Sequence, residues 1–113
     1  MDSVDAFGYA LTKPGAWPDN PFHEDRELVK VANKIFLFPG QLDGRSAITV
    51  KNTAEAVEEL KQRYPELAGP APYLNKRLWV QLIIEGVPDD EVRELIDDSY
   101  DLVVAKLPVK DRP

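Results

Sequence analysis

The sequence predicts an α+β domain: a mostly antiparallel β-sheet with its helices packed on one face, a two-layer architecture. Three observations lead there. The periodicities run helix, strands, helix, strand, helix along 113 residues. Most strands are separated by turns too short for a parallel crossover, so they pair antiparallel. Each helix is apolar along a single stripe, which suits a layer lying on one face of a sheet. The length is that of one domain, residues 1–113, and is sufficient for a hydrophobic core of its own.

The first helix opens at Ser3 as its cap, with Val4, Phe7, Gly8 and Leu11 along one face at i, i+3, i+4 and i+7. Lys13-Pro14-Gly15 stops it. Residues 14–27 hold Pro14, Pro18 and Pro21 with Gly15 and Asn20, a turn-rich segment with room for a short edge strand near Trp17 or Phe22. Residues 28–38 carry two short strands. Val29 and Val31 share a face of the first, Asn33-Lys34 is the expected tight turn, and the second, Ile35-Phe36-Leu37-Phe38, is apolar on both faces, as a covered strand is.

Pro39-Gly40 and Asp43-Gly44 are expected to bracket a loop, and residues 47–51 form the next strand. The second helix starts at Asn52, with Glu55 three residues on as in a capping box. Val57, Leu60 and Tyr64 are its buried stripe, Glu59 and Arg63 an i,i+4 pair on the wet side, and Pro65 its end. Gly69-Pro70-Ala71-Pro72 reads as a stiff connector. Residues 78–84 are a strand with Leu78, Val80, Leu82 and Ile84 on one face and Trp79, Gln81 and Ile83 on the other. After the turn Gly86-Val87, Pro88 takes the first helical position of a third helix, and Asp89, Asp90 and Glu91 suit the positive end of its dipole. Val92, Leu95, Ile96, Ser99, Leu102 and Val103 make its buried stripe, Pro108 ends it, and the charged tail to Pro113 is expected to fray. Phe36, Leu82 and Ile96 are expected deep in the core.

Composition narrows the function. There is no cysteine, which excludes disulfides, thiolate catalysis and Cys-based zinc sites. No apolar run approaches the ~20 residues of a membrane span, and the amino terminus lacks the basic start and apolar core of a signal peptide. A cytoplasmic, monomeric protein is the expectation. The net charge of −6 argues against attraction of nucleic acid by the whole surface and leaves only a local basic patch for that purpose.

The first such patch is Asn75-Lys76-Arg77 before the strand at 78–84, with Lys51 and the aromatics Tyr73 and Trp79 close by in the predicted fold. Lysine and arginine contact phosphate, asparagine reaches a phosphate or a base edge, and an aromatic ring stacks on a base. A second candidate is the acidic face of the third helix, where Asp90, Glu94, Asp97 and Asp101 fall at i, i+4, i+7 and i+11. Hard cations take oxygen ligands, yet carboxylates in a line do not enclose an ion, and the wet side of an amphipathic helix is polar in any case. His23, the sole imidazole, sits beside Glu24 and Asp25 and reads as a solvated loop residue. No serine is poised beside it for a triad, and Gly40 and Gly44 lack the Lys-Ser/Thr continuation of a phosphate loop.

A set of short pieces points further. Pro14-Gly15 with Pro21-Phe22, Lys30-Val31 with Lys34 and Phe36, Val50-Lys51, Tyr64-Pro65, and Asn75-Lys76 with Trp79 come first. The run Val87-Pro88-Asp89-Asp90-Glu91 then leads to Leu95-Ile96 and Ser99-Tyr100-Asp101-Leu102-Val103. In this order and spacing the chain resembles the MmcQ/YjbR family over nearly its whole length. The resemblance implies a CyaY-like (frataxin-like) fold and a DNA-binding label, and it brings no catalytic residues and no cofactor. It also implies departures: many relatives have His beside the Asn-Lys pair and before the Trp, where this chain has Leu74 and Leu78. The resulting expectation is a non-enzymatic DNA-binding domain using Lys51, Tyr73, Asn75, Lys76, Arg77 and Trp79. The alternative is a protein-interaction or metal-handling module using the acidic helix face.

Overall fold

The computed structural model describes residues 1–22 and 26–113. Its elements are helix α1 (Ser3–Leu11), strands β1 (Ala16–Asp19), β2 (Leu28–Val31), β3 (Lys34–Leu42) and β4 (Arg45–Lys51), helix α2 (Ala54–Arg63), strands β5 (Ala68–Pro70) and β6 (Trp79–Ile83), helix α3 (Asp89–Ala105) and a closing 3₁₀ turn (Val109–Asp111). The strands form one sheet in the order β1-β2-β3-β4-β6-β5, with every neighbouring pair antiparallel. The fold is α+β, as the periodicities predict.

Register explains the core. Leu37, Val50 and Val80 lie opposite one another across β3, β4 and β6, as do Pro39, Ile48 and Leu82 one pleat along. This face meets Val92, Ile96 and Val103 of α3, Ala6 and Ala10 of α1, and Val57 and Leu60 of α2 in one cluster. Phe36, Leu82 and Ile96 are fully buried, as expected. β3 gains an extra residue at Phe36, because Val29 pairs with Leu37 while Lys30 pairs with Ile35. Phe36 and Leu37 thus both enter the core, and the Phe36 ring meets Tyr100 edge-on at 5.3 Å.

Several local expectations are corrected. The α1 cap is Asp2, whose side chain accepts from the Asp5 N–H while Asp5 reaches back to Asp2, a complete capping box one residue before Ser3. The buried stripe of α1 is Ala6 and Ala10, and Val4 is 75% exposed. Two alanines let the helix lie close on the sheet, so the larger Phe7 and Leu11 pack at its sides only half-buried. The α2 cap is Thr53, whose hydroxyl accepts from Ala56 N–H. Asn52 is instead spent on the sheet, since its N–H donates to the Leu78 carbonyl.

The β2–β3 turn is Ala32-Asn33, one residue earlier than expected. Ala32 sits at φ 51 and its carbonyl accepts from the Trp17 indole, a bond that braces the left-handed conformation. Pro39-Gly40 is not a loop but the middle of β3. Asn52 N–H to Leu78 and Ile84 N–H to Ser46 turn the polar groups of Ile48 and Val50 towards β6, and those of Ala47, Thr49 and Lys51 towards β3. The Pro39 nitrogen therefore points away from β4, past the end of β2, where no N–H is needed. Asp43 (φ 53) and Gly44 (φ 74) form a two-residue hairpin turn of the twist-matched type, which locks Leu42 opposite Arg45.

Gly69-Pro70 is strand, not connector: as the outer strand, β5 has one side with no ladder to complete, so Pro70 is tolerated at its end. Pro88 caps α3 rather than opening it. The tail is tied down: Arg112 donates to the carbonyls of Ala105 and Leu107.

Two outcomes are expected. Ile96→Ala should destabilise by ~2–5 kcal/mol in denaturant unfolding, the cost of a large-to-small change in a closed core. An unchanged midpoint would mean α3 faces the other way. Gly44→Ala should cost about 1 kcal/mol through its positive φ alone, since a Cβ there meets no other atom.

Candidate functional site

The site is organised where β3 begins and β4 ends. In a regular ladder the Lys51 N–H would bond to the Phe36 carbonyl, the next rung beyond Phe38 and Thr49. Here the β3–β4 ladder ends at Leu37 and Val50, beside the residue that bulges against β2, and the fully buried Ser99 hydroxyl of α3 takes the place of the next rung. Its oxygen accepts from Lys51 N–H at 2.9 Å and its proton goes to the Phe36 carbonyl at 2.6 Å. One side chain thus completes the sheet and anchors α3 to it.

Lys51 and Trp79 are direct register partners of β4 and β6, on the sheet face away from the helices. Trp79 is half-buried and packs edge-on against Phe38 at 5.8 Å. Asn75 shapes the entry to β6. Its side-chain oxygen accepts from Arg77 N–H at 2.9 Å, and its carbonyl accepts from Trp79 N–H at 3.0 Å. Lys76 and Arg77 are exposed and border a hollow with Glu55, Glu58 and Lys61 of α2, and the Lys61 ammonium reaches the Lys76 carbonyl at 3.5 Å. Tyr73 is fully exposed at φ 64 and makes no hydrogen bond or ring contact, so the structure does not bring it onto the others.

The sequence missed three cations, Lys34, Lys61 and Lys106. Burial holds the Lys51 ammonium below the usual lysine range, and the charges of Lys106 and Lys34 push the same way. Other cations are neutralised: Lys13 pairs with Asp97, Lys30 with Asp19, Arg63 with Glu59 and Glu91, and Arg93 with Asp90. Among the described residues, Lys34, Arg45, Lys51, Lys61, Lys76, Arg77, Lys106, Lys110 and Arg112 have no carboxylate partner. Five of them lie at the end of the molecule where β3 and β6 begin and β4 and α3 end, and Lys61 joins them through Lys76. The opposite end carries Arg45 beside Asp43, and the Asp89, Asp90 and Glu91 turn of α3.

The acidic face of α3 is divided between tasks. Asp97 accepts from the Tyr9 hydroxyl and pairs with Lys13, each at 2.7 Å, so it belongs to the α1–α3 contact and raises the Tyr9 pKa. Asp90 and Glu94 instead border a groove of about 480 Å³ between α2 and α3, together with Glu59, Glu91 and Asp98. Glu91 in that groove takes a 2.6 Å bond from the Tyr64 hydroxyl and pairs with Arg63. No group of three or more His, Asp or Glu among the described residues is arranged to hold a metal ion. His23 lies outside the described residues. No helix among them is long and apolar enough to cross a membrane.

Comparison with known proteins places this architecture. The chain is 31% identical over 107 residues to a protein named "Uncharacterized protein YjbR" from Escherichia coli K12, covering 92% of this chain and 88% of that one. It is 30% identical over 93 residues to "Uncharacterized protein YbdF" of Escherichia coli O157:H7, covering 81% and 75%. The crystal structure of the Deinococcus radiodurans protein DR2400, with domain DUF419, superposes with a TM-score of 0.87 at 25% identity, over 98% of this chain and 85% of that one. A Pseudomonas syringae protein structure shares the fold, with a TM-score of 0.71 at 23% identity over 90% and 98%. The family model described as YjbR matches residues 11–102, which include the Ser99 anchor and all of β1 to β6, and the chain therefore belongs to the YjbR family.

Proposed function

We propose that this chain is a non-enzymatic binding domain that holds DNA phosphates on its basic end, with residues 75–77 as the ridge of contact. The observation that carries the reading is the gathering of carboxylate-free cations at one end of a molecule whose net charge is −6. Ion pairing cancels much of the positive charge elsewhere, so a phosphate backbone finds its densest group of free cations there. Lys76 and Arg77 are exposed on a turn held rigid by Asn75, and Lys51 stands behind them at the start of the β6 pairing. Tyr73, free of partners, supplies a surface on which a base can stack. The domain is read as a cytoplasmic monomer. The alternative is a protein partner with a basic segment, and the acidic α2–α3 groove is the feature that favours it.

Salt dependence tests the reading. If Lys51, Lys76 and Arg77 neutralise about three phosphates, the log-log slope of affinity against salt should be near −2.7, from roughly −0.9 per contact on duplex DNA. Fluorescence anisotropy with labelled duplex and single-stranded oligonucleotides measures it. The double variant Lys76→Ala with Arg77→Ala should flatten the slope by about 1.8, two such contacts, with folding intact because exposed charges add little stability. No binding by the wild type at the lowest salt would remove the DNA reading in favour of a protein partner. An unchanged slope in the double variant would move the contact away from residues 75–77.

A further inference from the structure

The register of the sheet decides which backbone groups face its edges. Ile83 N–H donates to the Leu67 carbonyl, so at the β5 edge Gly69 faces β6 while Ala68 and Pro70 face outward. Proline has no N–H, and the Ala68 N–H donates to the Tyr64 carbonyl at 2.8 Å. The same alternation, carried from β4 through β3 and β2, turns Ala16 and Pro18 of β1 outward. Again one is proline, and the Ala16 N–H donates to the Lys13 carbonyl at 3.0 Å. Along both outer strands only carbonyls are left to face an added strand. The far half of β3 is a third edge, and it is open. Its pairing with β2 ends at Val29 and Leu37, and Pro39 and Gln41 face away from β4. The Pro39 carbonyl and both the N–H and the carbonyl of Gln41 have no partner among the described residues. Pro39 and Gln41 line a hollow of about 460 Å³ whose other wall is α1, with Val4 and Phe7. Ser3 N–H bonds the Ser46 hydroxyl at 3.0 Å, which sets the start of α1 over this face, and Val4 stands 75% exposed there. Gly40 faces the opposite side of the sheet. Its missing side chain makes room for the Arg26 guanidinium, whose Nη1 lies 2.8 Å from where a Cβ would stand.

We propose that this open edge binds the carboxyl-terminal segment of a partner protein, which adds to β3 as a short antiparallel strand. A guest residue opposite Gln41 exchanges both backbone hydrogen bonds with it, and the residue two further on gives its N–H to the Pro39 carbonyl. There the guest ends, because β2 holds the line beyond and Pro39 has no N–H for another carbonyl. Its terminal carboxylate falls beside Arg26, whose planar fork of donors suits a carboxylate. Alternation sends the last and third-from-last guest side chains to the helix side of the sheet, onto Val4 and Phe7, so both are apolar. Glu27 borders the same hollow and selects against an acidic side chain at either position. The site is separate from residues 75–77 and does not rest on the DNA reading.

Selection of the full chain against random peptides displayed with free carboxyl termini tests it. Enriched clones should carry apolar residues at the last and third-from-last positions, and a selection that enriches nothing overturns the proposal. The enriched peptide, synthesised with a label at its amino end, is then titrated by fluorescence anisotropy. Amidating its carboxyl terminus should weaken binding about tenfold or more, the loss of a charge-assisted hydrogen bond. Gln41→Pro removes the open N–H and leaves the β4 ladder alone, and it should weaken binding about tenfold. Val4→Asp, at an exposed position of α1, should do the same without lowering the melting temperature. Saturating peptide should slow hydrogen exchange of the Gln41 amide. Equal affinity of the acid and the amide, affinity unchanged in both variants, or a Gln41 amide that exchanges as fast in the complex as alone overturns the site. The Lys76→Ala/Arg77→Ala variant should bind the peptide as the wild type does, and weaker binding there would move the peptide to the basic end and overturn the site as well.

Discussion

The hydroxyl of Ser99 is the constraint on which this structure turns. The β3–β4 ladder stops one rung short of Phe36, and a part-buried Lys51 N–H and a buried Phe36 carbonyl left without partners there would each carry a desolvation penalty. Only a side chain that both accepts and donates resolves both groups at once, and a hydroxyl does so in the space of one atom. Because that hydroxyl belongs to α3, the repair of the sheet is also the docking of the helix. Ile96 and Val103, one turn to either side, then fall into the apolar face of β3, β4 and β6.

The electrostatic polarity of the molecule follows from the same placement. α3 starts with Asp89, Asp90 and Glu91 at one end of the sheet and finishes with Lys106 at the other. Its antiparallel strands put Lys34 and Lys51 at that finishing end and the Asp43 hairpin at the opposite one. Lys13, Lys30, Arg63 and Arg93 are spent on Asp97, Asp19, Glu91 and Asp90. Six of the nine cations left without a carboxylate among the described residues gather at that finishing end of an acidic protein. Such an end acts at short range, since screening at physiological salt confines it to about 8 Å.

Much of the fold was legible because β4, β6 and α3 have periods strong enough to fix their faces: Val80 and Leu82 inward, Trp79 and Gln81 outward, and Val92, Leu95, Ile96, Ser99 and Val103 along one stripe. The failures share a cause, which is that local rules need tertiary partners. Pro39 reads as a break until its register shows that no N–H is wanted there, and Gly69-Pro70 reads as a connector until β6 offers an edge. Val4 reads as core by its size, whereas closeness to the sheet requires Ala6 and Ala10. The same holds at the site. Asn75-Lys76-Arg77 is contiguous and was found. Lys34, Lys61 and Lys106 lie far apart in sequence: α2 brings Lys61 to Lys76, and the sheet and α3 bring Lys34 and Lys106 to the same end of the molecule.

Hydrogen exchange at the Lys51 amide in Ser99→Ala tests the central claim most directly. With the hydroxyl gone, the Lys51 N–H has no acceptor at its end of the β3–β4 ladder. Its protection should fall by more than the overall loss of stability, about 1–3 kcal/mol for an orphaned buried group, while Thr49 in the same strand follows only the overall loss. A Lys51 amide as protected as in the wild type, in a variant of unchanged stability, would show that the sheet closes without Ser99 and that α3 is held by its apolar stripe alone.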